Sequence, residues 1–66
     1  MRYGTWTYNP KLLTLTNTEN AYEIDLERIK TWTEFVLTLK QIHEKCWSTP
    51  EIVGDFVNAI LSLRVI

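Results

Sequence analysis

Cysteine, glycine and proline are scarce in this chain, with one, two and two among its 66 residues. The single cysteine, Cys46, excludes an internal disulfide, and with it the stapled scaffolds of small secreted domains. No apolar run comes near the ~18 residues of a membrane span. No charged segment leads into an apolar one near the start, so no signal peptide is expected and a reducing cytoplasmic address is the default. An excess of one charge is missing too: seven Lys and Arg against eight Asp and Glu leave a formal net charge of −1. That balance, with a pI near 5.7, argues against a charge-driven grip on phosphates and is too mild for an acidic mimic of DNA. Repeats, low-complexity tracts and linkers are absent as well, so residues 1–66 are expected to form a single small domain.

What the chain does have is apolar side chain, at 45% of residues. Ordering a chain of this length costs roughly 100 kcal/mol. At about 25 cal/mol per Å², offsetting that cost takes roughly 4,000 Å² of apolar burial, or about 130 Å² for each apolar residue. This approaches the whole surface of an average side chain. Either nearly every apolar group lies inside, or a second copy or a partner covers the remainder. Little is left over for a deep catalytic cleft.

The periodicity changes once along the chain. Residues 3–29 alternate with period two, and residues 31–64 follow a helical period. In the first part Trp6 and Tyr8 share a parity. Asn9-Pro10 marks a turn, Leu13 and Leu15 alternate with Thr14 and Thr16, and Asn17–Asn20 forms a polar connection. Tyr22, Ile24 and Leu26 then alternate with Glu23, Asp25 and Glu27. These runs predict a three-stranded antiparallel meander whose inner face is Trp6, Tyr8, Leu13, Leu15, Tyr22, Ile24 and Leu26; an irregular arm in place of the first strand is the fallback.

Thr31 stands three residues before Glu34, the spacing of a capping box, and opens the first helix. Trp32, Phe35, Val36, Leu39, Ile42, His43 and Cys46 recur on its apolar stripe, while Leu37 is apolar on the polar side. Ser48-Thr49-Pro50-Glu51 announces a second helix with a capping hydroxyl, a proline in the first turn and a carboxylate at the positive dipole end. Val53, Phe56, Val57, Ile60, Leu61 and Leu63 form its stripe. Gly54 inside that helix predicts close approach of another backbone. The expected fold is therefore α+β: a three-stranded antiparallel meander packed against two antiparallel helices, in the order β-β-β-α-α.

Candidate chemistry is thin. His43 and Cys46, at i and i+3, could touch as a nucleophile pair. They lack an orienting group and an oxyanion site, and their place on the stripe predicts packing instead. Two ligands do not make a zinc tetrahedron, so neither a metal nor a cofactor is expected. Glu23, Asp25 and Glu27 predict a solvated acidic row that could dock a basic partner. On an open face no carboxylate is desolvated as acid–base catalysis requires. Arg2, Tyr3, Trp6, Tyr8 and Lys11 combine rings and cations as single-strand nucleic-acid binders do, but the basic residues are dispersed, which makes nucleic acid the lesser reading. Three tryptophans in a chain this short serve either a small core or an interface.

Read together, the segments Trp6–Pro10, Tyr22–Arg28 and Lys45–Glu51 resemble a group of short, uncharacterised bacterial proteins, with a departure at Ile29, where that pattern carries cysteine. The resemblance runs from about Trp6 to Leu63. It implies a bacterial setting, phage or plasmid included, and brings no activity, cofactor or site. The residues point to a non-enzymatic protein-interaction module, a small adaptor, regulator or inhibitor, self-associating as a homodimer. Its expected contact residues are Trp6, Leu37, Trp47, Leu61, Val65 and Ile66, with Glu23, Asp25 and Glu27 as a polar docking strip.

Overall fold

The alternating first half forms an antiparallel sheet in a computed structural model that describes residues 1–65. Four strands follow one another in sheet order: β1 (Arg2–Tyr3), β2 (Trp6–Asn9), β3 (Thr14–Asn17) and β4 (Glu23–Asp25). The fold is α+β as expected, but the meander has four strands rather than three. The additional strand is β1, which pairs Arg2 with Thr7 and Tyr3 with Trp6. A two-residue strand is too short to show a period, and the turn that creates it depends on one residue. Gly4 takes φ +63° and Thr5 does not follow it into positive φ. This is the requirement of a type II′ hairpin turn, with glycine at the first central position.

The other connections rest on local side-chain bonds. Asn9 Oδ1 accepts from the backbone N–H of Lys11 and of Leu12, at 2.9 and 3.2 Å. Those bonds close the turn into β3. Leu13 belongs to that turn, with φ +53°, and is exposed. Its expected place on the inner face is therefore wrong: the alternation restarts at Thr14. Asn17, expected in a polar connection, ends β3 and is wholly buried. Its Oδ1 accepts from Glu19 N–H at 3.0 Å, while its Nδ2 has no partner among the described residues.

After β4 a 3₁₀ turn over Leu26–Arg28 is capped by Asp25, whose Oδ1 accepts from Glu27 N–H at 3.0 Å. Helix α1 (Trp32–His43) starts on Thr31, whose Oγ1 accepts from Glu34 N–H at 3.2 Å and donates to the Glu34 carboxylate. Helix α2 (Pro50–Leu63) starts on Thr49, which accepts from Ile52 N–H, with proline at the first helical position. At its end Arg64 is left-handed, with φ +54°. Val65 N–H donates to Ile60 C=O and Arg64 N–H to Leu61 C=O. That pair of bonds is a Schellman motif carrying arginine where glycine is preferred.

The core fills the space between the sheet and the helix layer. It comprises Trp6, Leu15 and Ile24 from the strands, Leu26 and Ile29 from the crossing, Phe35 and Ile42 from α1, and Ile52, Phe56, Ala59 and Ile60 from α2. Phe35 near the start of α1 stacks on Phe56 in α2. His43 at the other end of α1 shares a groove with Val53, so the two helices run antiparallel. Asp55 fastens the far side of the first hairpin: Thr5 donates to its Oδ2 from both backbone N–H (2.9 Å) and hydroxyl (3.1 Å).

Two substitutions test these turns. Gly4→Ala puts a Cβ onto the Asp55 carboxylate at a backbone conformation that alanine resists, and should cost about 1–3 kcal/mol in urea unfolding. An unchanged midpoint would contradict the II′ assignment. Arg64→Gly relieves the left-handed cap and should add about 0.5–1 kcal/mol; a loss would mean that the arginine side chain supports the cap.

Candidate interaction surface

Two of the three tryptophans are enclosed, wholly or in part. Trp6 is 0% exposed; its indole N–H donates to Ile52 C=O at 2.9 Å and its ring lies 5.7 Å from Phe56. The expectation that it forms part of a contact surface is corrected: the alternation turns it inward, and the buried indole finds its acceptor there. Trp47 is half-buried, tilted against Tyr22 at 5.3 Å, with Lys45 Nζ lying over the same Tyr22 ring at 5.4 Å. It braces the helix connection against the sheet.

Trp32 is the exposed one. Trp6, Phe56, Phe35 and Trp32 form a ladder of rings 5.7, 5.9 and 5.8 Å apart, which leads from the centre of the core out to the helix surface. Trp32 is 61% exposed, Val36 56%, Leu37 54% and Leu61 57%. The apolar stripe expected for α1 is thus split. Phe35 and Ile42, with Leu39 partly covered, enter the core. Trp32, Val36, His43 and Cys46 stay in solvent, so the expectation that His43 and Cys46 pack inside is wrong. Trp32, Val36 and His43 lie on the edge of the stripe away from Phe35 and Ile42, and Cys46 lies past the end of α1.

The exposed side of the helix layer is continuous. Val36, Leu39, Lys40, His43 and Val53 line a groove of about 410 Å³. It passes through His43 and Val53 into a recess bordered by Ser48, Thr49, Pro50 and Gly54, and through Val36 into a dip beside Trp32, Thr33 and Leu37. Gly54 opens onto this surface. A Cβ placed on it would meet nothing within 4 Å, so the close approach of another backbone expected for this glycine does not occur among the described residues. The helix nonetheless carries the usual cost of about 1 kcal/mol relative to alanine.

The remaining expected contacts lie elsewhere. Leu37 and Leu61 belong to the exposed helix side. Val65 is half-buried in a separate cleft with Tyr8, Leu13, Glu27 and Leu63; Ile66 lies outside the described residues. The acidic row is broken. Glu23 and Asp25 border one cleft with Arg28 and Gln41, while the 3₁₀ turn carries Glu27 to the cleft of Val65 and engages Asp25 as its cap. The rings of a nucleic-acid platform are likewise not laid out together, since Trp6 is enclosed and Tyr3 and Tyr8 pack against the core. Among the described residues no group of three or more His, Cys, Asp or Glu is placed to hold a metal, and no helix is long and apolar enough to cross a membrane.

Sequence reasoning singled out Leu37 and Leu61, which are exposed, and placed Trp32 and Val36, also exposed, on the core stripe. In dilute protein Trp32→Ser should change folding stability by less than about 1 kcal/mol, whereas Trp6→Ala should cost about 3–5 kcal/mol. Equal losses in urea unfolding would contradict the division into a core ring and a surface ring.

No family model matches the chain, and no curated protein or solved structure matches it.

Proposed function

We propose that this chain is a non-enzymatic protein-interaction module, a small adaptor, regulator or inhibitor, that acts by presenting the outer side of its helix layer to another protein surface. One observation carries the reading. Four large apolar side chains of the two helices, Trp32, Val36, Leu37 and Leu61, are each more than half exposed, and Val36 lines an apolar groove whose adjoining dip is bordered by Trp32 and Leu37. Together they expose a few hundred Å² of apolar side chain, the scale at which a patch on a small protein marks a binding site. Trp32 supplies the rigid aromatic body typical of a binding hot spot. The ladder behind it holds the ring in place, so little side-chain entropy is lost on docking. The proposed setting is a reducing cytoplasm, in which the exposed thiol of Cys46 persists without oxidation.

A photo-crosslinking amino acid at Leu37 or Leu61 should give defined protein adducts in cells, of whatever partner, and the same group at Thr7 on the sheet should give none. Absence of adducts from the helix side, or equal labelling from Thr7, would refute the reading.

A further inference from the structure

We infer that the cleft between strand β4 and helix α1 takes an extended, basic peptide of another protein, which joins the sheet as a fifth strand. This surface is separate from the helix face and does not rest on the reading of that face. β4 ends the sheet and has β3 as its single neighbour. On that side Asn17 N–H donates to Tyr22 C=O, and Leu26 N–H donates to Leu13 C=O. Bonded pairs alternate along an antiparallel ladder, so the bonded pair between those two is Leu15 with Ile24. The N–H and C=O of Glu23 and of Asp25 therefore point the other way, off the edge. Two donors and two acceptors in line are what an incoming strand needs to pair.

The surroundings of the edge specify the occupant. Tyr22, Glu23, Ile24 and Asp25 line the cleft along the strand, with Arg28 of the 3₁₀ turn and Thr38 and Gln41 of α1 beside them. Its volume of about 240 Å³ is below the ~300–1,000 Å³ of small-molecule pockets. An edge strand beside a helix can instead bond a peptide backbone while the helix meets alternate side chains. Side-chain direction then sets the peptide's chemistry. Ile24 is buried, whereas Glu23 and Asp25 are exposed on the outer side of the sheet. In a paired strand the residues opposite Glu23 and Asp25 share that outer side, two positions apart. Opposite charges directly across a ladder stabilise it and like charges destabilise it, so both positions call for lysine or arginine. Arg28 is the only cation lining the cleft, and the two carboxylates outnumber it. The peptide residue between the two basic ones faces the helix layer, where Thr38 and Gln41 suit a small polar side chain. The same rule excludes a second copy at this edge: β4 paired antiparallel with itself sets Glu23 against Asp25.

Amide-resolved NMR of the full chain, titrated with synthetic peptides, tests the inference. The probe is an acetylated and amidated pentapeptide in which lysine alternates with threonine. It should bind with a dissociation constant below about 1 mM. It should also move the amide protons of Glu23 and Asp25 downfield and slow their exchange with solvent at least ~10-fold. Methylating the backbone nitrogens of its lysines removes the donors to the Glu23 and Asp25 carbonyls and keeps the charge, so affinity should fall at least ~10-fold. Glu23→Lys should weaken the unmethylated peptide about as much without changing the circular dichroism of the protein. Leu61→Glu, on the helix face, should leave the titration as it is. No response at Glu23 and Asp25 up to about 5 mM peptide, or binding that both the methylation and Glu23→Lys leave intact, overturns the inference.

Discussion

The burial of Trp6 fixes the rest of this structure. Its indole N–H must find an acceptor once the alternation of β2 turns the ring inward, because an unpaired buried donor costs about 1–3 kcal/mol. It finds Ile52 C=O, in the first turn of α2. The ring then rests against Phe56, one turn further along, and Thr5 beside it donates twice to Asp55. Three successive contacts between one hairpin and one helix leave α2 a single rotation about its axis. That rotation points Ile52, Phe56, Ala59 and Ile60 inward, and thereby points Gly54 and Leu61 out. The exposed surface is a consequence of the buried one.

The same contact organises α1. Phe56, held by Trp6, offers its other side to Phe35 in a near-parallel stack at 18°, and Phe35 in turn meets the edge of Trp32. Four rings from three elements thus connect the sheet to the outside of the helix layer. A chain this short is under pressure to bury almost all of its apolar side chains, yet it leaves a tryptophan, a valine and two leucines of its helices more than half exposed. Partial coverage of Leu39, Val53 and Val57 extends the apolar surface between the helices without closing it. The molecule is thus a slab with a polar sheet outside, a core within and an apolar helix surface opposite.

Much of the fold was legible in the sequence, and the illegible parts share a cause. The caps at Thr31 and Thr49-Pro50 were readable because a capping hydroxyl acts within three residues of itself. Leu15 and Ile24 were readable because strand parity needs only the strand. Parity does not cross a turn, which is why Leu13 was assigned to the wrong side and why Glu27 left the acidic row as soon as the 3₁₀ turn began. The β1 hairpin escaped notice because its strand is shorter than any period and its single signal, Gly4, is one residue. The exposed apolar side of the helices was half visible: Leu37 and Leu61 stand out against polar neighbours. Trp32 and Val36 merge with the core stripe of α1, and only the direction of the sheet tells them apart. Counting tryptophans does not tell which one points inward.

The central claim is that Trp6 is the fixed interior ring and Trp32 the ring left in solvent. Fluorine NMR of the protein labelled with fluorotryptophan, with Trp32→Phe used to assign its resonance, tests that claim most directly. The account predicts that the Trp32 signal shifts between light and heavy water while the Trp6 signal does not. A Trp6 resonance as sensitive to solvent as that of Trp32, or a Trp32 resonance insensitive to it, would contradict the account.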